Sequence, residues 1–569
     1  MIAATLAACA VQRGTPPDEF TLSILGTNDV HGQLSPLRDR GGLVTISAYV
    51  DALRDARAED GGAVLVIDAG DMWQGTLESN LVEGAAVVEA YNAIGFTAAT
   101  IGNHEFDFGP VGSKAIPQDT RDDPRGALKQ RASEADFPIL AANLIDEETG
   151  RSVEWRNVRP STLVEVAGIR VGIIGVMTKD ALHATMTANT AGLRIAPLVE
   201  TIREEATRLR EQGATIIVVS AHAGGDCTEF ENPMDLSSCN MGGEIMRVAT
   251  ALPAGLVNHI IGGHVHEGIA HIVNGISITS SYSNTRAFSR VDLKVDRNSG
   301  RIISRDVFPP HLACLLIVRS SGTCASPSDD ESETANAVYE GRAIEANPDV
   351  TGVALRAAAY AEEIKEESLG VYLESAFEHP PSTESPLANL MTDALRERVG
   401  GDIAIHNVAG GIRSILPQGE LTFGSVYEMF PFDNQVVVLD LTGRQVREII
   451  ATQAHNDGRR AGFSGMRVFI DCTNGQMDVE MKLRTGATIH DDDRVSVVAN
   501  DFLAFGGDGI LTPVLPNGGF DVDDSLPLTR DVLVDWFRSK AGSLNPDDFV
   551  STDRPRWNLP DQLPATCSL

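Results

Sequence analysis

Five short segments of this 569-residue chain carry histidines, carboxylates and an amide at spacings that suit metal binding. Leu25-Gly26-Thr27-Asn28-Asp29-Val30-His31-Gly32 sets Asp29 and His31 two residues apart after an apolar run, where both can reach one cation. Alone, such a triplet is more often a capping aspartate beside a surface histidine. Val66-Ile67-Asp68-Ala69-Gly70-Asp71 reads as a buried strand ending in a glycine turn, and a carboxylate swung over the sheet edge there can bridge two cations. Ile101-Gly102-Asn103-His104-Glu105-Phe106-Asp107 is more specific. Asn103 can donate its amide oxygen to a metal, while the pair His104 and Asp107 suits a general acid or a stabiliser of a phosphate oxygen. Ser220-Ala221-His222-Ala223-Gly224 and Gly262-Gly263-His264-Val265-His266 complete the set.

The ligands divide evenly between two ions. One ion takes Asp29, His31, Asp71 and His266, and the other takes Asp71, Asn103, His222 and His264, with Asp71 shared. Mixed nitrogen and oxygen donors without a thiolate suit two divalent metal ions such as Zn, Mn, Co or Fe. The chemistry this predicts is hydrolysis of a phosphoryl group by two-metal assistance.

In this order the five segments resemble those of the calcineurin-like metallophosphoesterases, and T-N-D-x-H-G with G-N-H-E-F-D looks like the 5′-nucleotidase branch. The resemblance spans nearly the whole chain. It implies an α/β protein with an N-terminal four-layer αββα catalytic domain, a connecting helix and a C-terminal α/β substrate-binding domain. It also implies that His104 and Asp107 form the catalytic dyad. Toward the C-terminus, Asn407-Val408-Ala409-Gly410-Gly411-Ile412-Arg413 is similar to the family's N-x-G-G-I-R with one extra residue. Phe430-Pro431-Phe432-Asp433-Asn434 and the run from Asn500 to Gly509 resemble two further family segments. By that resemblance Arg413 meets the anionic end of the substrate, Phe432 and Phe502 sandwich a nucleobase, and Asn434 and Asp508 hydrogen-bond to base and ribose. As plain strand residues, both phenylalanines would instead be core.

Two departures matter. Some nucleotidases carry further arginines shortly before the segment that here reads Ser385-Pro386-Leu387-Ala388-Asn389-Leu390, but Glu378-His379-Pro380-Pro381-Ser382-Thr383 has none. And Gly70-Asp71-Met72-Trp73-Gln74-Gly75 resembles a stretch of the sulfur-oxidation thiosulfohydrolases, which makes such a hydrolase the alternative enzyme. A non-catalytic surface lipoprotein on a retained scaffold is the third reading, and the complete ligand set speaks against it.

These residues need strands to hold them. Apolar runs at 22–25, 63–67, 171–176, 216–220 and 258–261 read as buried strands, and 43–57 and 198–211 read as helices, giving an α/β layered first half with ligands at strand ends. Residues 1–19 are expected to be a signal or lipobox region and linker, 20–300 the catalytic domain, 301–346 a connector and 347–569 the second domain. A helix over 347–369 opens with Asn-Pro as a cap and first-turn pair.

The balance of 46 basic against 79 acidic side chains, net −33, excludes a nucleic-acid polymer as partner and points to a small-molecule nucleotide whose charge is met locally. Leu6-Ala7-Ala8-Cys9 resembles a bacterial lipobox, although no basic stretch precedes it. This predicts lipidation of Cys9, a periplasmic or cell-surface lipoprotein, and membrane contact only through that anchor. The other six cysteines allow 15 pairings. Close spacing favours Cys227–Cys239 and Cys314–Cys324, which leaves Cys472–Cys567 and suggests an oxidising compartment.

Overall fold

The computed structural model describes residues 18–569 except 38–39, 113–116, 118–119, 180, 184, 326–328, 379–383, 409, 433, 457–459, 517–519, 521–525, 552, 561–562 and 565. Cys9 and the expected lipobox lie outside the described residues, as does most of the segment 378–383.

Thirteen of the described strands build the two large sheets of the first half. In chain order the first five are β1 (Glu19–Thr27), β2 (Ala63–Asp68), β3 (Ala98–Thr100), β4 (Ile139–Leu140) and β5 (Val158–Arg159). Next come β6 (Ser161–Val166), β7 (Ile169–Met177), β8 (Ile216–His222) and β9 (His259–Ile261). The last four are β10 (Gly268–Val273), β11 (Ile276–Ser281), β12 (Ala287–Asp296) and β13 (Ile302–Leu312). One sheet has the order β13-β12-β1-β2-β3-β4-β5 and the other β10-β11-β9-β8-β7-β6. Each is parallel at its centre.

Alternation along the strands sorts the side chains into layers. Ile216 and Val218 of β8 join Val171 and Ile173 of β7 in a core between the sheets, against Leu22, Ile24, Leu65 and Ile67. Their neighbours Ile217, Val219, Ile174 and Val176 point the other way, onto helices α3 (Leu198–Glu211) and α4 (Glu244–Ala251). The outer face of the first sheet is covered by α1 (Gly42–Asp60) and α2 (Ala85–Ile94) through Leu43, Tyr49, Val87 and Tyr91. The result is the αββα sandwich.

Two stretches differ from expectation. Residues 302–312, expected in the connector, form β13 and pair antiparallel with β12. Pro309-Pro310 reads as a breaker, but β13 is the outermost strand, where a residue without an N–H costs no ladder bond. The long helix α5 (Pro348–Lys365) begins as expected, with the Asn347 side chain accepting from the N–H groups of Asp349 and Val350. It stops short of 369, because Ser368–Leu373 forms a strand.

The second half is also α/β. Strands β14 (Ile403–His406), β15 (Val436–Thr442), β16 (Gly462–Ser464) and β17 (Arg494–Asn500) form a sheet in the order β15-β17-β14-β16. Helices α6 (Pro386–Val399), α7 (Phe423–Met429), α8 (Gly443–Ala454) and α9 (Thr529–Ser539) pack in two apolar cores around it. The three disulfides are Cys227–Cys239, Cys314–Cys324 and Cys472–Cys567. No described helix is long and apolar enough to cross a membrane.

Candidate metal centre and substrate cleft

Every loop with a candidate metal ligand leaves the carboxyl end of a parallel strand. Asp29 and His31 follow β1, Asp71 follows β2, Asn103 follows β3, His222 closes β8, and His264 and His266 follow β9. The two sheets therefore deliver their loops to one rim. The turn there is tight: Asp29, His31, Asp71, His264 and His266 have φ of 49°, 49°, 58°, 77° and 62°. Left-handed backbone at five non-glycine residues is strain concentrated at a functional site.

The side chains fall into two groups. In one, His31 Nε2 lies 3.0 Å from His266 Nε2, which is 3.5 Å from Asp29 Oδ1. In the other, His222 Nε2 lies 3.2 Å from Asp71 Oδ2, 2.9 Å from the Asn103 amide oxygen and 3.2 Å from His264 Nδ1. Each group can hold a metal ion. The donor chemistry fits one. Asp29 and Asp71 are fully buried and face imidazoles rather than lysine or arginine, so a cation is needed to balance them. His31 Nδ1 donates to the Gln74 carbonyl and His222 Nδ1 to the Ala69 carbonyl, each at 2.9 Å, which turns the Nε2 lone pair inward. Burial pushes the His31 imidazole down to about 4, so it remains the neutral form that a metal requires.

Beside this centre His104 Nδ1 donates to Asp107 Oδ2 at 2.6 Å, and the Thr185 hydroxyl donates to the other carboxylate oxygen at 2.6 Å. Burial opposes charge on His104, but Asp107 and then Asp71 outweigh it and hold the imidazole up at about 10. The His104 ring stands 5.4 Å from that of His31. One buried group has no place in the sequence reading. Glu105 accepts from the N–H groups of Asp71, Met72 and Gly102 and so ties two ligand loops together. Burial, reinforced by Asp71, lifts its carboxyl to about 8. Its place inside G-N-H-E was the available signal.

The second half supplies a cleft wall. The Arg413 guanidinium lies 5.0 Å from the Phe432 ring centre, and Phe432 packs edge-on to Phe430. Arg530 donates to the Phe432 carbonyl. Asn407 donates to Asp508 at 2.6 Å, and Asn434 donates to Asp501 at 3.0 Å. Phe502 is 43% exposed, its ring resting on Gly507, where a Cβ would come within 2.4 Å. Burial raises the Asp501 carboxyl to about 6, and Asp107 of the first half adds to that rise. Asp501 escaped the sequence reading because its carboxyl lies opposite a residue almost 400 positions away.

Residues 22–268 match the family model of the calcineurin-like phosphoesterases, and residues 365–515 match that of the 5′-nucleotidase C-terminal domain. Among curated proteins, the chain is 27% identical to a cell wall protein of Listeria monocytogenes, over 86% of this chain and 64% of that protein. It is 24% identical to a 5′-nucleotidase of Vibrio cholerae, over 89% of each. Among solved structures, a 5′-nucleotidase precursor from Thermus thermophilus superposes with a TM-score of 0.60 at 23% identity, covering 92% of this chain and 97% of that one, which shows the shared fold. The chain thus spans less than two thirds of the first of these relatives and most of the other two.

Proposed function

This chain belongs to the 5′-nucleotidase family of the calcineurin-like metallophosphoesterases, and from that premise we propose that it hydrolyses phosphate esters of nucleosides. The observation that carries the reading is the convergence of seven ligand side chains from five strand ends onto two adjacent groups. Asp29, His31 and His266, with Asp71 shared, would hold one divalent ion, and Asn103, His222 and His264, again with Asp71, the second. When bound, such a pair activates water and neutralises phosphoryl oxygens.

The residues of the chain do the rest. His104, charged and fixed by Asp107 and Thr185, presents its free ring edge to the phosphoryl group and stabilises charge as the ester bond breaks. Arg413, beside the Phe432 ring, would meet the anionic end of the substrate, and Phe432 with the exposed ring of Phe502 would offer stacking surfaces to the base. Asn434 and Asp508 are its hydrogen-bonding partners. The His104–Asp107 pair following Gly-Asn disfavours the thiosulfohydrolase alternative, and the complete ligand set disfavours a purely structural role. The three disulfides, the cell-wall kinship and the lipobox resemblance of Cys9 support an exported, lipid-anchored protein.

The test is hydrolysis by the protein loaded with Mn, Zn or Co, read as inorganic phosphate from nucleoside 5′-monophosphates, as nucleoside monophosphate from cyclic 2′,3′-phosphates, and as nucleoside monophosphate with sugar phosphate from nucleotide sugars. Hydrolysis of at least one ester class, lost on chelation and in His222→Ala, is expected. Equal activity before and after complete metal removal overturns the reading.

A further inference from the structure

At the end of the sandwich opposite the ligand loops, the start of β8, the residue before β9 and the turn between β12 and β13 enclose a groove of about 640 Å³. Three of its lining residues are Arg210, Arg301 and Arg305, with Thr215 and Asn258 as polar neighbours. Concentrated positive charge is unexpected in a chain of net charge −33.

Several arginines elsewhere are paired with carboxylates, although Arg54 and Arg125 are held by carbonyls. Arg290 pairs with Asp292 and Glu340, Arg131 with Glu134, and Arg556 with Asp393. In the groove no carboxylate does this. Arg210 donates to the carbonyls of Ala214, Thr215 and Leu256 and to the Asn258 side chain, and Arg305 donates to the carbonyls of Asn258 and Gly275. Carbonyls fix the guanidinium planes without neutralising them. Burial alone lowers both arginines, with no acidic group lifting either. Their field reaches inward: burial, with Arg305 adding to it, pushes His259 down to about 3. Arg301 is exposed, and its nearest acidic neighbour is Asp296 at the other end of the same turn, whose carboxyl is held below its ordinary value first by Ser299 and in smaller part by Arg301.

We propose that this groove is a binding site for a phosphate-type oxyanion, separate from the metal centre. Arg301 forms its mobile arm, and Arg305, held in place by carbonyls, its fixed one. Guanidinium forks match the oxygens of a tetrahedral anion in pairs. The seven residues of β8 place the groove roughly 20 Å from His222 at about 3.3 Å per residue, too far to be a subsite of the metal centre. Two sources offer the same chemistry, free phosphate and a phospholipid headgroup.

The experiment uses full-length protein with the metal centre silenced by His222→Ala, titrated calorimetrically with inorganic phosphate at low salt. A single saturable phosphate site is expected, weakened at least tenfold by adding Arg301→Glu and weakened by raised salt. In the otherwise intact enzyme, Arg301→Glu should keep the Tm and the rate of nucleotide hydrolysis. Co-sedimentation with phosphatidylglycerol and with phosphatidylcholine vesicles separates the sources. Retention on phosphatidylglycerol that is lost in Arg301→Glu assigns a lipid headgroup, and phosphate binding without vesicle retention assigns a soluble anion. Absence of both, or phosphate affinity unchanged by Arg301→Glu, overturns the proposal.

Discussion

The His104 ring carries two relationships that can be separated by substitution. Its backbone N–H donates to Asp71 Oδ1 at 2.9 Å, while its side chain binds Asp107. His104→Asn keeps the first and removes the charge, so it should retain metal while lowering kcat by roughly 10²–10⁴-fold with little change in KM. Steady-state kinetics on AMP with metal analysis of the same sample checks this, and a raised KM at unchanged kcat would mean that His104 only binds. Asp501 is a second single-residue case. Its carboxyl is raised to about 6, chiefly by burial and in smaller part by Asp107, so in the folded protein the protonated form persists up to about pH 6. The stability it contributes is fully present below the unfolded value of 3.8 and is lost as pH rises through about 6. Asp501→Asn has an amide that stays neutral and whose oxygen can still accept from Asn434 and from the N–H of Phe502. The Tm of the variant relative to wild type should therefore climb between pH 4 and pH 7, and a difference that stays flat across that range would refute the role of burial.

The strand-end loops act as a unit because Gly70 and Gly102 let them approach. A Cβ on Gly102 would lie 2.2 Å from Asp71 Oδ1 and 2.5 Å from the Asp71 nitrogen. Gly102→Ala must displace the carboxylate that faces His222, so metal content should fall and hydrolysis drop at least tenfold while far-UV circular dichroism is kept. Unchanged metal stoichiometry would show that the loop yields instead. The ligand loops were legible in the sequence because strand, glycine and ligand are adjacent along the chain: Ile67 to Asp71 and Ile261 to His266 are read within six residues. Helix α3 was legible too, since its apolar positions repeat along one face. The rest depends on partners far apart. Glu105 has meaning only once the loops after β2 and β3 lie side by side, and Asp68, buried with Thr27 and Tyr91, belongs to the same class. Strand β13 was hidden by Pro309-Pro310, whose cost depends on sheet order, and sheet order is not local information.

Across the whole molecule the halves are joined along the long helix α5, whose Val350, Val353 and Ala354 enter the first core, and beyond it by a smaller contact. Leu77, Ala361 and Tyr427 form a small apolar cluster, and the Tyr427 hydroxyl accepts from Asn80 at 2.8 Å and donates to the Gly75 carbonyl at 3.1 Å. The large apolar cores of the second half share no residue with those of the first, so thermal unfolding should separate into two transitions. The cross-links assign them. Cys227–Cys239 and Cys314–Cys324 span 12 and 10 residues, but Cys472–Cys567 spans 95 and holds the C-terminal segment against the core that includes Met477 and Val479. Closing a loop of that length restrains the unfolded chain most, and its loss typically costs about 2–5 kcal/mol. Cys472→Ser combined with Cys567→Ser should lower the transition of the second half and leave that of the first in place. Chelation should do the reverse, because the ligands all lie on the two sheets of the first half and metal release removes what balances Asp29 and Asp71. Scanning calorimetry of wild type, the double variant and the chelated protein reads both effects at once. If either treatment moves both transitions together, the Tyr427 contact joins the halves into one cooperative unit, and the metal centre and the substrate cleft share their stability.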